Sequence, residues 1–258
     1  MSEKVRYEVE AGVATITIAR PDVRNAMDRD VFAALYELGT RAGDDEGVRA
    51  VVVTGEGNFS SGIDTSVFTS GNGSDPVGTD VATLQRSFTI FETISKPVVA
   101  ALDGPSFGAG FQLALACDLR VAAEGVRLSV MEVRWGIIPD LGATTRLPRL
   151  VGIGRAKELA FTAREIGAEE ALAWGLVNRV TPAGEHLKAA TEWARELAAG
   201  PPLAIAGIKR LMNASFDAPI ATGLEREAMV QRRILASQDF IEAVGARIER
   251  RTPQFKAR

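Results

Sequence analysis

Residues 103–110, DGPSFGAG, combine a serine with three glycines directly after the apolar run PVVAAL. The segment contains G-x-S-x-G, the nucleophile elbow in which a serine sits on a tight turn between a strand and a helix. Ser106 is therefore a candidate nucleophile. Asp140 and His186 follow it in the order Ser, Asp, His that one class of serine hydrolases uses for its catalytic triad.

The position of His186 argues against this triad. His186 begins the segment HLKAATEWARELAAG, in which apolar residues recur at helical spacing. We expect it in the first turn of that helix and exposed to solvent. A catalytic histidine would instead stand on a loop beside the elbow.

Backbone chemistry offers a second interpretation of the glycines. Gly108 and Gly110 flank Ala109, so the chain can adopt φ values or close approaches that a side chain would block. The helix FQLALAC begins there, and the amides of a first helical turn suit a developing oxyanion. A second glycine turn, NFSSGID at 58–64, follows the apolar run VRAVVVTG. The two turns could aim two amides at one carbonyl oxygen, or each could be a tight strand-to-helix connection; their spacing alone leaves both open.

Composition narrows the class of protein. The chain has 258 residues, 46% of them apolar, and a formal charge of −3, which argues against nucleic acid or an anionic membrane as the main partner. Cys117 is the only cysteine and His186 the only histidine, so an internal disulfide is excluded and a metal site is not expected. The charged N-terminus and the lack of an apolar run near the ~20 residues of a membrane span predict a cytoplasmic protein.

Strands and helices should alternate through the first half of the chain. The segments VRYEVE and VATITIA predict a β-hairpin. We expect a helix to begin at Asp28, and the apolar run VRAVVVTG predicts a buried strand. A helix at about 80–95, the strand PVVAAL and the helix FQLALAC continue this order, which favours an α/β fold. Residues 70–79 read as a polar loop. From about residue 153 the pattern is helical almost throughout, and the helices after Pro201 should pack on the core or on a neighbouring subunit.

Several segments, in their order along the chain, resemble sequence motifs of the enoyl-CoA hydratase/isomerase family, also called the crotonase superfamily. They are RPDVRNAMD, GNFSSGIDT, DGPSFGAGFQLALACDLRVAAE, EVRWGIIPDLGATTRLPRLVG and REIGAEEALAWGLVNRV. The resemblance implies an α/β spiral of ββα units over residues 1–198, which binds acyl-CoA and carries out catalysis, and a helical trimerisation region over 199–258. It also implies self-association as a trimer or a dimer of trimers.

The resemblance further implies the chemistry of a coenzyme A thioester. Family members hold the thioester oxygen with two backbone amides, which correspond here to Ile63 and Ala109. Polarising the carbonyl acidifies the neighbouring carbon, and each such donor typically lowers the barrier by about 3 to 4 kcal/mol. Ser106 then need not react. No separate cofactor is implied, because coenzyme A is part of the substrate.

The carboxylates depart from the family pattern. Hydratases of the family use two glutamates, and one corresponds to Glu132, whose structural alternative is a surface ion pair with Arg134. The other corresponds to Gln112, an amide that cannot take up a proton at neutral pH. Asp140 resembles an acidic residue of the dienoyl-CoA isomerase branch, or it caps the helix LGATTRLPRL.

Other residues are implied for coenzyme A and substrate binding by the same resemblance. They are Arg24, Ala26, Ser60, Ser61, Gly62, Asp64, Thr65, Ser66 and Gly108, with Phe255 and Lys256 contributed by a neighbouring subunit. Arg24 suits phosphate because guanidinium matches it in a bidentate way, or it is a solvated arginine. We favour double-bond isomerisation with Glu132 as the acid/base. Hydration of a 2-enoyl-CoA is the alternative, and a non-catalytic acyl-CoA-binding subunit is the alternative of another class.

Overall fold

The computed structural model describes residues 3–69 and 81–257, so the predicted polar loop at 70–79 lies outside the described residues. The strands are β1 (Val5–Glu10), β2 (Val13–Ile18), β3 (Ala50–Gly55), β4 (Val98–Leu102), β5 (Pro105–Phe107), β6 (Leu119–Ala123), β7 (Arg127–Ser129), β8 (Ile166–Gly167) and β9 (Arg179–Thr181). The helices are α1 (Arg29–Asp44), α2 (Ser66–Thr69), α3 (Val81–Thr93), α4 (Ala109–Ala116), α5 (Ala143–Val151), α6 (Ile153–Thr162), α7 (Ala168–Ala173), α8 (His186–Ala198), α9 (Pro202–Asn213), α10 (Ile220–Leu235) and α11 (Gln238–Glu249). Short 3₁₀ turns cover Pro21–Val23, Glu132–Trp135 and Ser215–Asp217.

Six strands form the main sheet in the order β1-β2-β3-β4-β6-β9. β1 and β2 pair as the predicted antiparallel hairpin, and every later neighbour in the sheet is parallel. The Asp28 side chain accepts a hydrogen bond from Val31 N–H and caps α1, as its position predicted. The α/β fold class is thus confirmed.

A second, three-stranded sheet was not expected from the sequence. Its order is β5-β7-β8, and β5 lies inside the segment that reads as a turn, DGPSFGAG. Ser106 also forms a β-bridge with Ser60 of the other glycine turn. A three-residue strand has no periodicity to detect, so only the pairing partner reveals it.

The two faces of the main sheet are covered differently. The larger apolar core lies on one face, where α1, α3 and α4 contribute buried side chains such as Phe32, Phe88 and Phe111. On the other face, Val52 and Val99 pack against Ala190 and Ala194 of α8. Since successive side chains of a strand point to opposite faces of the sheet, each central strand contributes side chains to both cores.

The C-terminal helices contact the rest of the chain through α9, whereas α10 and α11 leave large apolar side chains exposed. Lys209 of α9 is buried, forms an ion pair with Asp118 at 2.7 Å, and donates to the carbonyls of Phe91 and Lys96. Large apolar side chains of α10 and α11 remain exposed, among them Ile220, Ile241 and Ile248. The predicted boundary at 198/199 falls between α8 and α9, and the division into two regions stays a prediction. None of the helices in the described part of the chain has the length and apolar character needed to cross a lipid bilayer.

Candidate active site

The two glycine turns lie side by side beyond the carboxyl ends of β3 and β4. Phe59 N–H donates to Asp103 O at 2.9 Å, and Ser60 N–H donates to Pro105 O at 3.1 Å. In return, Phe107 N–H donates to Ser60 O at 3.0 Å. The backbones are therefore joined directly, without side chains between them.

Glycine is required where the turns approach each other most closely. Gly62 has φ +107°, and a Cβ there would lie 2.8 Å from Phe107 O. A Cβ on Gly110 would lie 2.5 Å from Ser60 O. Both distances are too short for a side chain, so these glycines permit the two backbones to touch.

The N–H groups of Ile63 and Ala109 are unpaired at this junction. Neither donates a hydrogen bond to another residue in the described part of the chain. Both residues line one cavity of ≈ 480 Å³, and a Cβ on Gly62, which precedes Ile63, would lie 3.6 Å from Ala109 N. The structure thus brings the two predicted oxyanion donors together, and their role stays a prediction.

Glu132 lies in the same cavity and is 7% exposed. Its Oε1 accepts a hydrogen bond from Gln112 Nε2 at 2.6 Å, whereas its buried Oε2 has no hydrogen-bond partner among the described residues. Burial raises the pKa of Glu132 and the charge of Asp140 adds to that, while the hydrogen bond from Gln112 opposes it. The alternative interpretation of Glu132, as the partner of Arg134 in a surface ion pair, is wrong. Glu132 is buried, and Arg134 Nη2 donates to Ala163 O at 2.8 Å.

Gln112 has a defined orientation. It is 1% exposed, and its Oε1 accepts from the N–H groups of Leu141 at 2.9 Å and Ala143 at 3.0 Å. Its Nε2 faces the carboxylate of Glu132. Rotating the amide by half a turn would set N–H against N–H and oxygen against carboxylate, so a single orientation satisfies all three bonds. The oxygen of Gln112 is thus engaged by two backbone N–H groups.

Asp140 does not cap a helix. The N-cap of α5 is Gly142, which forms no side-chain cap, so the capping interpretation is wrong. Asp140 instead lines the cavity with Glu132, and burial raises the pKa of its carboxyl group.

Side chains that the sequence did not suggest hold the turn that carries Asp140. Gln85 Nε2 donates to Asp140 O at 2.6 Å, and Arg146 Nη1 donates to Leu141 O at 2.7 Å. Arg146 also forms two bonds with Glu92, at 2.6 and 2.7 Å. Gln85 and Asp140 are 55 positions apart in the chain, so no local pattern could have linked them.

The predicted binding residues divide into those that line the cavity and those that do not. Lining residues are Ser61, Gly62, Thr65 and Gly108. Ser60 does not line the cavity: it is fully buried, its Oγ donates to Asn25 O at 2.8 Å, and it accepts from Gly62 N–H, while its contact with coenzyme A stays a prediction. The Ser60 hydroxyl therefore stabilises the turn through hydrogen bonds to backbone groups.

Asp64 and Ser66 lie beside the cavity and not in its lining. Hydrogen bonding from Ser66, and then the neighbouring Arg20, lowers the pKa of Asp64, whose carboxylate lies 3.0 Å from Arg20 Nη1. Ser66 begins α2 and is exposed. Ala26 O accepts a hydrogen bond from Arg20 Nη1, which connects it to the same ion pair.

Arg24 is exposed and adjacent to the second glycine turn. Its carbonyl accepts hydrogen bonds from Ser61 N–H and Asn58 Nδ2, and its own backbone is left-handed at φ 53°. Phe255 and Lys256 lie against α11, where Lys256 N–H donates to Asp239 at 2.7 Å, and they do not line this cavity of their own chain. The proposed contacts of these residues with coenzyme A stay predictions.

The serine hydrolase triad is not assembled. Ser106 is buried and its Oγ has no hydrogen-bond partner among the described residues. The expectation that His186 is exposed is wrong, since its side chain is 13% exposed and its Nδ1 lies 3.7 Å from Asp103 Oδ2. Neither Ser106 nor His186 lines the cavity that contains Asp140.

The rest of the cavity wall is apolar and was missed by sequence analysis. It consists of Val81, Leu84, Met131, Trp135, Ile137, Ile138 and Leu141. Trp135 and Ile138 are 67% and 70% exposed, so they stand at the mouth of the cavity. The apolar residues of the segment RWGIIPD could have indicated this wall. They do so only because they are exposed, and exposure cannot be determined from the sequence alone.

Known proteins resemble this chain over its whole length. Residues 8–258 match the family model for enoyl-CoA hydratase/isomerase. A carnitinyl-CoA dehydratase from Salmonella typhi is 36% identical over 268 residues, which cover 100% of both chains. The crystal structure of an enoyl-CoA hydratase from Bacillus anthracis is similar with a TM-score of 0.94 and 32% identity, covering 99% of this chain and 100% of that chain. An enoyl-CoA hydratase from Polaromonas sp. JS666 has a TM-score of 0.93 and 31% identity, covering 97% of this chain and 99% of that one.

Proposed function

Because the chain belongs to the enoyl-CoA hydratase/isomerase family, we propose that it moves a carbon–carbon double bond in an unsaturated acyl-CoA thioester. The thioester oxygen accepts hydrogen bonds from Ile63 and Ala109. Glu132 removes a proton from one carbon of the acyl chain and returns it to another.

The oxyanion donors make this proton transfer feasible. Two unpaired N–H groups stabilise the negative charge that develops on the thioester oxygen, each by about 3 to 4 kcal/mol in typical cases. The proton leaves the carbon, its electron pair extends into a dienolate, and the double bond re-forms one position along when the proton returns. No oxidant or reductant enters, and substrate and product have the same mass.

The unpartnered Oε2 of Glu132 supports its assignment as the proton carrier. A carboxylate that is buried and lacks a full set of hydrogen bonds is a stronger base than a solvated one, which agrees with its raised pKa. Gln112 occupies the other oxygen. Glu132 therefore has one oxygen held in place and one free to exchange a proton with the substrate.

The orientation of Gln112 is the observation that favours isomerisation over hydration. Water addition in the family pattern needs a second carboxylate to activate water, and Gln112 stands at that position. Its oxygen is already engaged by Leu141 and Ala143, so it cannot accept a hydrogen bond from water in this geometry. Isomerisation requires no water.

Asp140 fits as a second proton carrier. The described residues that line the cavity with Asp140 include no lysine, arginine or histidine, and its raised pKa suits a group that is protonated for part of the cycle. Asp140 would return the proton when the two carbons lie too far apart for Glu132 alone. The C-terminal helices, with their exposed apolar side chains, support association as a trimer or a dimer of trimers, in which Phe255 and Lys256 would contact coenzyme A of a neighbouring subunit.

Hydration or its reverse is the second candidate. The named relatives favour it, since they are a carnitinyl-CoA dehydratase and enoyl-CoA hydratases. In that reaction Asp140 and Glu132 would form the acid–base pair, and Asp140 would activate water in place of the missing glutamate.

Product analysis in deuterated water distinguishes the candidates. The purified protein is incubated separately with 2-enoyl-, 3-enoyl- and dienoyl-CoA. The products are separated by chromatography, and their masses are measured by mass spectrometry. Isomerisation shifts retention without adding water, and a proton that Glu132 exchanges with the solvent appears as deuterium in the product, whereas hydration adds the mass of heavy water. Rapid hydration with no isomer would contradict the favoured reaction. Saturable binding without turnover of any substrate would favour a non-catalytic acyl-CoA-binding subunit.

A further inference from the structure

We propose that the active-site cavity selects apolar acyl groups and excludes acyl groups that carry a second carboxylate. The inference rests on the proposed function, because it concerns the acyl part of the same thioester. It goes further by naming the class of acyl chain.

The charged residues that the described part of the chain contributes to the cavity are both acidic. Among the described lining residues, Glu132 and Asp140 carry charge, and none is lysine, arginine or histidine. A substrate carboxylate would enter a cavity that already holds two acidic groups.

The arginines nearest in sequence to the cavity residues have other partners. Arg134 donates to Ala163 O at 2.8 Å. Arg146 is bound by Glu92 and by Leu141 O. The guanidinium of Arg86 lies 5.9 Å from the ring of Tyr36 and donates to Thr83. Recruiting any of them would break contacts that the fold already uses.

The apolar wall supplies what an uncharged acyl chain requires. It extends from Leu84 and Met131 inside the cavity to Trp135, Ile137 and Ile138 at its mouth. Burying alkyl groups against such a wall is favourable, whereas a carboxylate would lose its hydration without gaining a donor. Like charges placed together also discriminate strongly between ligands.

A matched pair of substrates tests this directly. We expect kcat/KM for 3-hexenoyl-CoA to exceed that for 3-hexenedioyl-CoA, its analogue with a terminal carboxylate, by at least about 100-fold. The saturated analogues, hexanoyl-CoA and hexanedioyl-CoA, should show the same preference in Kd by calorimetry. That second measurement does not depend on turnover, so it tests the inference even where the proposed reaction fails.

A charge introduced at the mouth should weaken the preference. Ile138→Arg places a cation on an exposed residue, and we expect it to raise the hexenedioyl-to-hexenoyl ratio of kcat/KM, and of affinity for the saturated pair, by at least about 10-fold. Ile138→Gln is the control, because it removes the apolar group without adding charge, and it should leave both ratios near the wild-type values. Equal affinity of the wild type for both saturated analogues would overturn the inference and leave the proposed function standing. Selective binding without turnover of any enoyl-CoA would do the reverse.

Discussion

The two halves of the candidate site are built from different material. Ile63 and Ala109 present backbone N–H groups, which are placed by two turns bonded to each other through main-chain atoms. Glu132 and Asp140 present side chains, which depend on contacts from three helices, made by Gln112 of α4, Gln85 of α3 and Arg146 of α5. The first half is independent of most side chains and sensitive to glycine replacement. The second half allows one substitution to change which proton transfers are available.

Removing the carboxylate of the second half should have the largest effect on catalysis. Glu132→Gln keeps an oxygen that can accept from Gln112, so the cavity should stay intact. We expect kcat to fall by about 100- to 10,000-fold while the Kd for a saturated acyl-CoA changes little. Steady-state kinetics and calorimetry check this. A matching loss of binding would show that Glu132 shapes the site instead of reacting.

The same variant should be at least as stable as the wild type at neutral pH. The folded-state pKa of Glu132 is raised, so its stabilising contribution exists below the unfolded pKa and is lost as pH rises through the folded value. Thermal denaturation at neutral and at acidic pH measures this, with the advantage of Glu132→Gln shrinking as the solution becomes acidic.

A methyl group in the backbone half should be nearly as damaging. Gly62→Ala adds a Cβ 2.8 Å from Phe107 O in a residue with φ +107°. The turn must move, Ile63 N–H leaves its position, and kcat should fall by about 100- to 1,000-fold. Gly57→Ala is the matched control, because Gly57 has φ +76° but open space around its Cβ position. Equal loss of activity in both variants would attribute the effect to backbone strain and not to the oxyanion donors.

Restoring a second carboxylate sharpens the comparison between isomerisation and hydration. In Gln112→Glu one oxygen can still accept from Leu141 and Ala143, while the other faces Glu132 and shares a proton with it. We expect hydration of a 2-enoyl-CoA to rise by at least about 10-fold relative to isomerisation. Gln112→Leu removes all three hydrogen bonds and should weaken both reactions. If Gln112→Glu leaves the product ratio unchanged, Gln112 does not decide the reaction.

The smallest expected effect is a shift in pH dependence. Activity that needs ionised Glu132 increases as pH rises through its pKa, which Asp140 helps to raise. Asp140→Asn removes that charge, so the acid limb of kcat/KM should move to lower pH. Glu196→Gln on α8 removes an exposed carboxylate outside the cavity lining and should leave the limb in place. A limb that stays fixed in Asp140→Asn would show that the two carboxylates do not interact.

Local pattern carried much of the fold and half of the site. The hairpin, α1 with its Asp28 cap, the buried parallel strands and both glycine turns were all predicted from residue type and spacing. The short strands β5, β7 and β8 were not, because segments of two or three residues have no period. The exposure of His186 was misjudged for a related reason: burial depends on what packs against a residue from elsewhere in the chain.

By itself, the sequence determined the alternation of strands and helices, the two turns that only glycine permits, and the family to which the chain belongs. The tertiary structure decided that Asp140 lines the cavity and caps no helix, and that Gln112 binds the backbone at 141–143 and Glu132 at once. Turns and periodicities arise from neighbours along the chain and are therefore legible in it. The direction of a buried side chain depends on hydrogen bonds to residues 20 to 31 positions away, which exist only once α4 and α5 have packed together.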